Sequence, residues 1–176
     1  AFDHKTKRFH NHLSFDRRWL DEQGSEDSHA RALWALGLGV GRSPYRSFQE
    51  MAGQLFTHAL PAAAEFTSPR AWAFSLLGIH EYLRRLSGDR RVTQFRELFT
   101  AKLLQRYEDA ATEDWHWFED TVSYANAKLP HTMILSGRCM NNPAMVNLGL
   151  KTLRWLVRIQ TSDAGSFRPI GSNGFY

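Results

Sequence analysis

Along most of the chain, apolar residues recur every three or four positions with polar residues between them, the period of a helix that buries one face. The stripe Phe48, Met51, Leu55, Ala59 and Ala62 predicts one such helix, which Ser43-Pro44 would open with proline at its first position. Trp72, Leu76, Ile79, Leu83 and Leu86 predict a second, started by Ser68-Pro69 and stopped at Ser87-Gly88. Asp89 would cap a third, with Val92, Phe95, Phe99, Leu103 and Tyr107 as its stripe. Asn142-Pro143 begins another, carrying Met145, Leu148, Thr152, Trp155 and Ile159.

Two further helices read differently. His29 to about Val40 is apolar nearly all round, and a helix apolar on most faces is buried on most faces. Asp27 or Ser28 would cap its start, and Gly37, Gly39 and Gly41 would mark its end. Asp120 or Thr121 would likewise cap a helix from about Val122 to Met140, with Pro130 near its first turns. Before the first helix, residues 1–25 form an irregular lead-in, and 161–176 form a glycine- and serine-rich loop or end.

In chain order the six helices alternate in character. The first, third and fifth end in apolar runs closed by Gly37, Gly78 and Gly137, whereas the second, fourth and sixth are one-sided. That alternation predicts an all-α domain of about three stacked helical hairpins, each with an inner and an outer helix. Aromatic inner helices and the lack of a tetratricopeptide or ankyrin signature favour part of an (α/α) toroid over a solenoid. Alternate helices run the same way, so the starts of the inner helices share one rim.

Composition changes the picture at one stretch. The 176 residues fit a single domain, 1–176, but 13% are aromatic, including six tryptophans. Glu113 to Pro130 concentrates that surplus, holding Trp115, Trp117, Phe118 and Tyr124 beside Glu113, Asp114, Glu119 and Asp120. A core wants the rings without the acids and a solvated loop the reverse, so both together suggest the floor of a cleft for something polar with flat faces, a description that sugars fit. A smaller acidic turn, Glu26-Asp27-Ser28, lies at the equivalent place in the first hairpin.

The net charge of +4 is mild and the basic residues are scattered, which argues against nucleic acid as a partner. No apolar run approaches the length of a membrane span. A single cysteine, Cys139, cannot close an internal disulfide; it reads as a small buried residue in a protein of a reducing, cytoplasmic compartment. No His-Glu-x-x-His pattern or glycine-rich phosphate loop is present, so neither a metal nor a cofactor is expected.

The motifs resemble a known family. Glu26-Asp27-Ser28-His29-Ala30-Arg31-Ala32-Leu33-Trp34-Ala35-Leu36-Gly37, with Trp115-His116-Trp117-Phe118-Glu119-Asp120 and Tyr124-Ala125-Asn126-Ala127-Lys128-Leu129-Pro130, are similar to the helical domain of bacterial glycosyltransferase-associated proteins. That group is similar to the six-hairpin glycosidases, whose toroids usually act on carbohydrates. Asn11 to Trp19 resembles the family's lead-in, and His116 departs from it where proline is commoner. Three hairpins are half of such a ring, so the resemblance implies a fragment whose parent chain completes the toroid.

Glycoside hydrolysis needs a carboxylic acid and a second carboxylate, about 5–5.5 Å apart for retention and 6.5–9.5 Å for inversion. Asp27 and Asp120 are the candidate pair, with Glu26 and Glu119 as their neighbours; the plainer role of Asp27 and Asp120 is helix capping. Trp115, Trp117 and Tyr124 are candidates for stacking on substrate, while Trp34 reads as core. Asn126, His29 and Arg31, polar members of the same motifs, complete the substrate-binding set. His29, His116 and His131 offer a different chemistry, proton removal next to a carbonyl as in toroidal sugar epimerases. Alternatively, the domain binds glycan beside a glycosyltransferase without doing chemistry, or serves as a scaffold.

Overall fold

The computed structural model describes residues 1–170 and is mostly helical. A short antiparallel pair, β1 (Phe2–Asp3) and β2 (Arg8–Phe9), precedes α1 (Glu26–Arg42) and α2 (Arg46–Ala59). After a 3₁₀ segment, Leu60–Glu65, come α3 (Pro69–Arg85), α4 (Arg90–Ala110), α5 (Lys128–Cys139) and α6 (Pro143–Ile159). The chain divides into two compact units within α4: Ala1–Phe99, and the part from Thr100 onward.

In the first unit, α1 lies between α2 and α3, and glycine sets both distances. A Cβ on Gly37 would sit 2.2 Å from the Gly78 carbonyl oxygen, and one on Gly78 would sit 2.5 Å from that of Leu33. One turn further along α1, a Cβ on Gly41 would lie 2.3 Å from the Glu81 carbonyl oxygen. Backbone therefore meets backbone along this crossing. On the opposite side of α1, a Cβ on Gly39 would be 3.0 Å from Ala52 Cβ in α2. The glycines do not end the helix, as their position after an apolar run implies; α1 continues to Arg42. Gly78 and Gly137 also lie inside their helices, α3 and α5.

The caps are partly as the sequence implies. Ser68 and Asn142 cap α3 and α6, accepting from the Ala71 and Met145 amides, and Asp89 accepts from Val92 N–H at the start of α4. Two starts differ. Ser25, not Asp27 or Ser28, caps α1 by accepting from Ser28 N–H (3.1 Å). Ser43 closes α1 rather than opening α2, which begins at Arg46 without a side-chain cap.

The lead-in is more ordered than irregular. Besides β1 and β2, a bridge joins Leu13 to Trp19 around a tight turn in which Arg17 adopts a positive φ of 62°. There Ser14 N–H donates to the Arg18 carbonyl (2.8 Å) and Arg18 N–H returns to Ser14 Oγ (2.9 Å). The same hairpin recurs after α6: Thr161 bridges Phe167, Ser162 N–H donates to the Ser166 carbonyl (2.9 Å), and Gly165 holds φ 76°. A three-residue loop ending in a left-handed residue makes this turn. The remainder of the expected tail, 171–176, lies outside the described residues.

Cys139 is exposed at the end of α5 rather than buried, because the stripe of α5 runs through Leu129, Met133, Ser136 and Gly137. Among the described residues no helix is long and apolar enough to cross a membrane.

Candidate functional site

The candidate residues fall into two groups, one in each unit, and each group is described within its own. In the first unit, Glu26 starts α1, and its carboxylate accepts from the backbone amides of Thr67 (3.0 Å) and Ser68 (2.8 Å). The acid thus fastens the start of α1 to the start of α3, where positive helix-end dipole favours it. Asp27, one residue on, binds Arg31 one turn later at 2.6 Å. The Arg31 guanidinium lies over the Phe74 ring, 4.1 Å from its centroid, and Trp34 stacks on the same phenylalanine. Asp27, Arg31 and Trp34 therefore form one partly exposed face of polar and aromatic groups over the buried Phe74 ring.

His29 serves the fold. Its ring is fully buried, with Nδ1 accepting from Phe9 N–H (3.3 Å) and Nε2–H donating to the Ala59 carbonyl (3.1 Å). Both nitrogens are used by backbone, so neither is placed to take a substrate proton. Burial, with Arg8 nearby, lowers its pKa to about 4 against the bond to Ala59. Unfolded, the imidazole would titrate near 6.5, so between those values the unfolded chain binds more protons and stability falls as pH is lowered. The contribution is complete above pH ~6.5 and is lost as pH falls towards ~4. Urea unfolding should show about 2 kcal/mol more loss from pH 7 to pH 5 in the native protein than in His29→Gln.

In the second unit, α4 stops at Ala110 and residues 111–127 follow without helix or strand. The segment is held by tryptophans. Trp115 Nε1–H donates to the Glu119 carbonyl (2.6 Å), pinching the turn between them, and Trp155 Nε1–H reaches from α6 to the Asp114 carbonyl (3.1 Å). Trp115 meets the Trp155 ring edge to face, at 4.9 Å between centroids, while Trp117 stacks on it at 5.6 Å. Phe118 packs against Trp117 and against Tyr107 of α4.

Several expectations change here. Trp117 is fully buried among protein rings, stacked on Trp155 and edge to face with Phe118, so it meets protein rather than a sugar. Asp120 caps nothing: α5 begins eight residues later at Lys128, because Val122 turns into the core and Ala125 takes a positive φ of 49° that a helix cannot accommodate. Asp120 is exposed, and among the described residues its carboxylate has no hydrogen-bond or ion-pair partner. Tyr124 is 48% exposed, and His131 is exposed on α5. Asn126 is mostly buried, with Nδ2 donating to the Ser123 carbonyl (3.3 Å). Trp115 and Glu119 are half-buried.

Trp155 was legible only as a member of the α6 stripe, yet it anchors the segment. Beside it, His116 with Lys151, Arg154 and Arg158 of α6 lines a pocket of about 280 Å³. The one advance signal of that pocket was the spacing of its cations on a helix without acids. Among the described residues, no cluster of three His, Cys, Asp or Glu is arranged to hold a metal ion. No family model, curated protein or solved structure matches the chain.

Proposed function

We propose that the chain is a carbohydrate-active helical domain, part of an α/α toroid like the six-hairpin glycosidases, that acts on a glycosidic substrate. Each unit is read by itself: in the second, Asp120 is the candidate carboxylate with Tyr124 as a sugar contact, and in the first, Asp27 is the candidate carboxylate with the Arg31–Trp34 face as a sugar contact. The observation that carries this reading is Asp120 itself. Its plain role as a helix cap is gone, and among the described residues it stands exposed and unpartnered on a segment fixed by Trp115 and Trp155, near an exposed tyrosine in sequence. Binding groups are commonly carried on surface loops that a rigid scaffold holds in place, and this carboxylate is on such a loop. The recurring Leu13–Trp19 and Thr161–Phe167 hairpins support a repeat architecture, which the toroid requires.

A second reading, a glycan-binding module without chemistry, is favoured by the structural bonds of Glu26 and His29, which leave fewer groups for acid–base work. One experiment separates the two. The protein is screened for binding to and cleavage of a panel of oligosaccharides, together with Asp27→Asn, Asp120→Asn and Tyr124→Ala. Catalysis predicts that each Asn variant still binds but turns over roughly 100-fold or more slowly, the scale of a lost general acid or base. A binding module predicts affinity that survives both Asn changes and is lost in Tyr124→Ala. Neither binding nor cleavage across the panel would rule out both readings.

A further inference from the structure

We infer that the pocket lined by His116, Lys151, Arg154, Trp155 and Arg158 binds a compact tetrahedral oxyanion, a phosphate or the phosphate group of a small ester. Lys151, Arg154, Trp155 and Arg158 stand three, four and seven residues apart, the spacing that gathers side chains on one face of a helix. Helix α6 contains no Asp or Glu, and among the described residues none of its three cations pairs with a carboxylate. Several basic residues elsewhere do find acids: Arg18 with Asp16, Arg31 with Asp27, Arg42 with Glu81, and Arg46 with Glu50.

Like charges three and four residues apart on a helix repel, and nothing in the helix offsets them. The helix dipole accounts for Arg158, which lies in the last turn near the carbonyl end. It does not account for Lys151, which lies in mid-helix, more than a turn from either end. A bound anion accounts for all three together. The two guanidinium groups offer forked N–H donors suited to phosphate oxygens, and the ammonium adds a point charge.

The remaining lining fits the same ligand. Trp155 supplies a rigid wall, fixed by its bond to the Asp114 carbonyl. His116 Nδ1 is buried with no hydrogen-bond partner among the described residues, so these residues leave that nitrogen unused. At about 280 Å³ the pocket lies at the small end for ligand sites, which suits one phosphate and a small attached group rather than a polymer. The inference stands on this pocket alone and does not need the carbohydrate reading.

Titration calorimetry at pH 7 with inorganic phosphate, glucose 6-phosphate and glucose, at low and near-physiological salt, tests it. Saturable binding of both phosphate-bearing probes, weakening with salt, is expected, with none for glucose. Arg154→Ala and Arg158→Ala, both exposed and so not expected to disturb folding, should each weaken it roughly tenfold. Arg138→Ala, a basic change at the end of α5 outside the pocket, should leave it unchanged. Glucose 6-phosphate binding with no response to free phosphate would still place the phosphate here if Arg154→Ala removed it. Absence of saturable binding by both phosphate probes would overturn the inference. Equal weakening by Arg138→Ala, or binding of a single-stranded oligonucleotide without any phosphate binding, would also overturn it, since either marks a general basic surface. Because the readout is phosphate rather than glycan, this proposal and the carbohydrate reading can fail separately.

Discussion

Gly37→Ala is expected to cost about 3 kcal/mol, near the upper end of the range for forcing an extra carbon into a packed interface. Its new methyl would lie 2.2 Å from the Gly78 carbonyl oxygen, a distance only backbone movement can relieve. Gly78→Ala meets the Leu33 carbonyl at 2.5 Å from the other side of the same crossing and should cost a similar amount. For a chain of this length that lowers the thermal midpoint by roughly 6–12 °C. Alanine is the better helix former by about 1 kcal/mol, so propensity alone predicts the opposite sign.

Gly53→Ala provides the control. It lies inside α2, where a Cβ would make only ordinary contact with Val40 Cγ2 at 3.7 Å, so propensity should prevail and stabilise by about 0.5–1 kcal/mol. Thermal and urea unfolding of the three variants checks both signs. A neutral Gly37→Ala would mean that α1 and α3 are not in backbone contact, and the account of the first unit would fail.

These glycines also show what the sequence could and could not convey. Six helices were legible because each needs only a local period, and Ser68-Pro69, Asp89 and Asn142-Pro143 state their starts within a few residues. Glycine after an apolar run has two physical uses, ending a helix or admitting a neighbour, and only the partner helix distinguishes them. Asp120-Thr121-Val122 carries the local marks of a cap, but the decisive facts are the burial of Val122 and the backbone of Ala125. Glu26 and His29 look chemically available in sequence because Thr67, Ser68 and Ala59, which occupy them, lie 30 or more residues away. The acidic aromatic segment was legible as an unusual composition; which of its rings point inward was not.

Trp117 is where that last distinction can be measured. As a buried ring stacked on Trp155 and meeting Phe118 edge to face, it should cost about 3–5 kcal/mol when truncated in Trp117→Ala, through lost transfer energy and the cavity left behind. That loss would also loosen the ledge carrying Asp120, so reduced glycan binding in this variant would not by itself show ligand contact. Trp117→Phe is more discriminating. Trp117 Nε1 is buried with no hydrogen-bond partner among the described residues, so removing it relieves a desolvation penalty of about 1–3 kcal/mol. The smaller ring loses packing of similar size, and the net change should fall within about 1 kcal/mol. Unfolding experiments should therefore find Trp117→Ala strongly destabilised and Trp117→Phe close to native, with glycan affinity following stability in both. If Trp117→Phe kept its stability but lost a glycan that the native protein binds, the ring would be in contact with ligand, and the packed cluster described here would have to open for it.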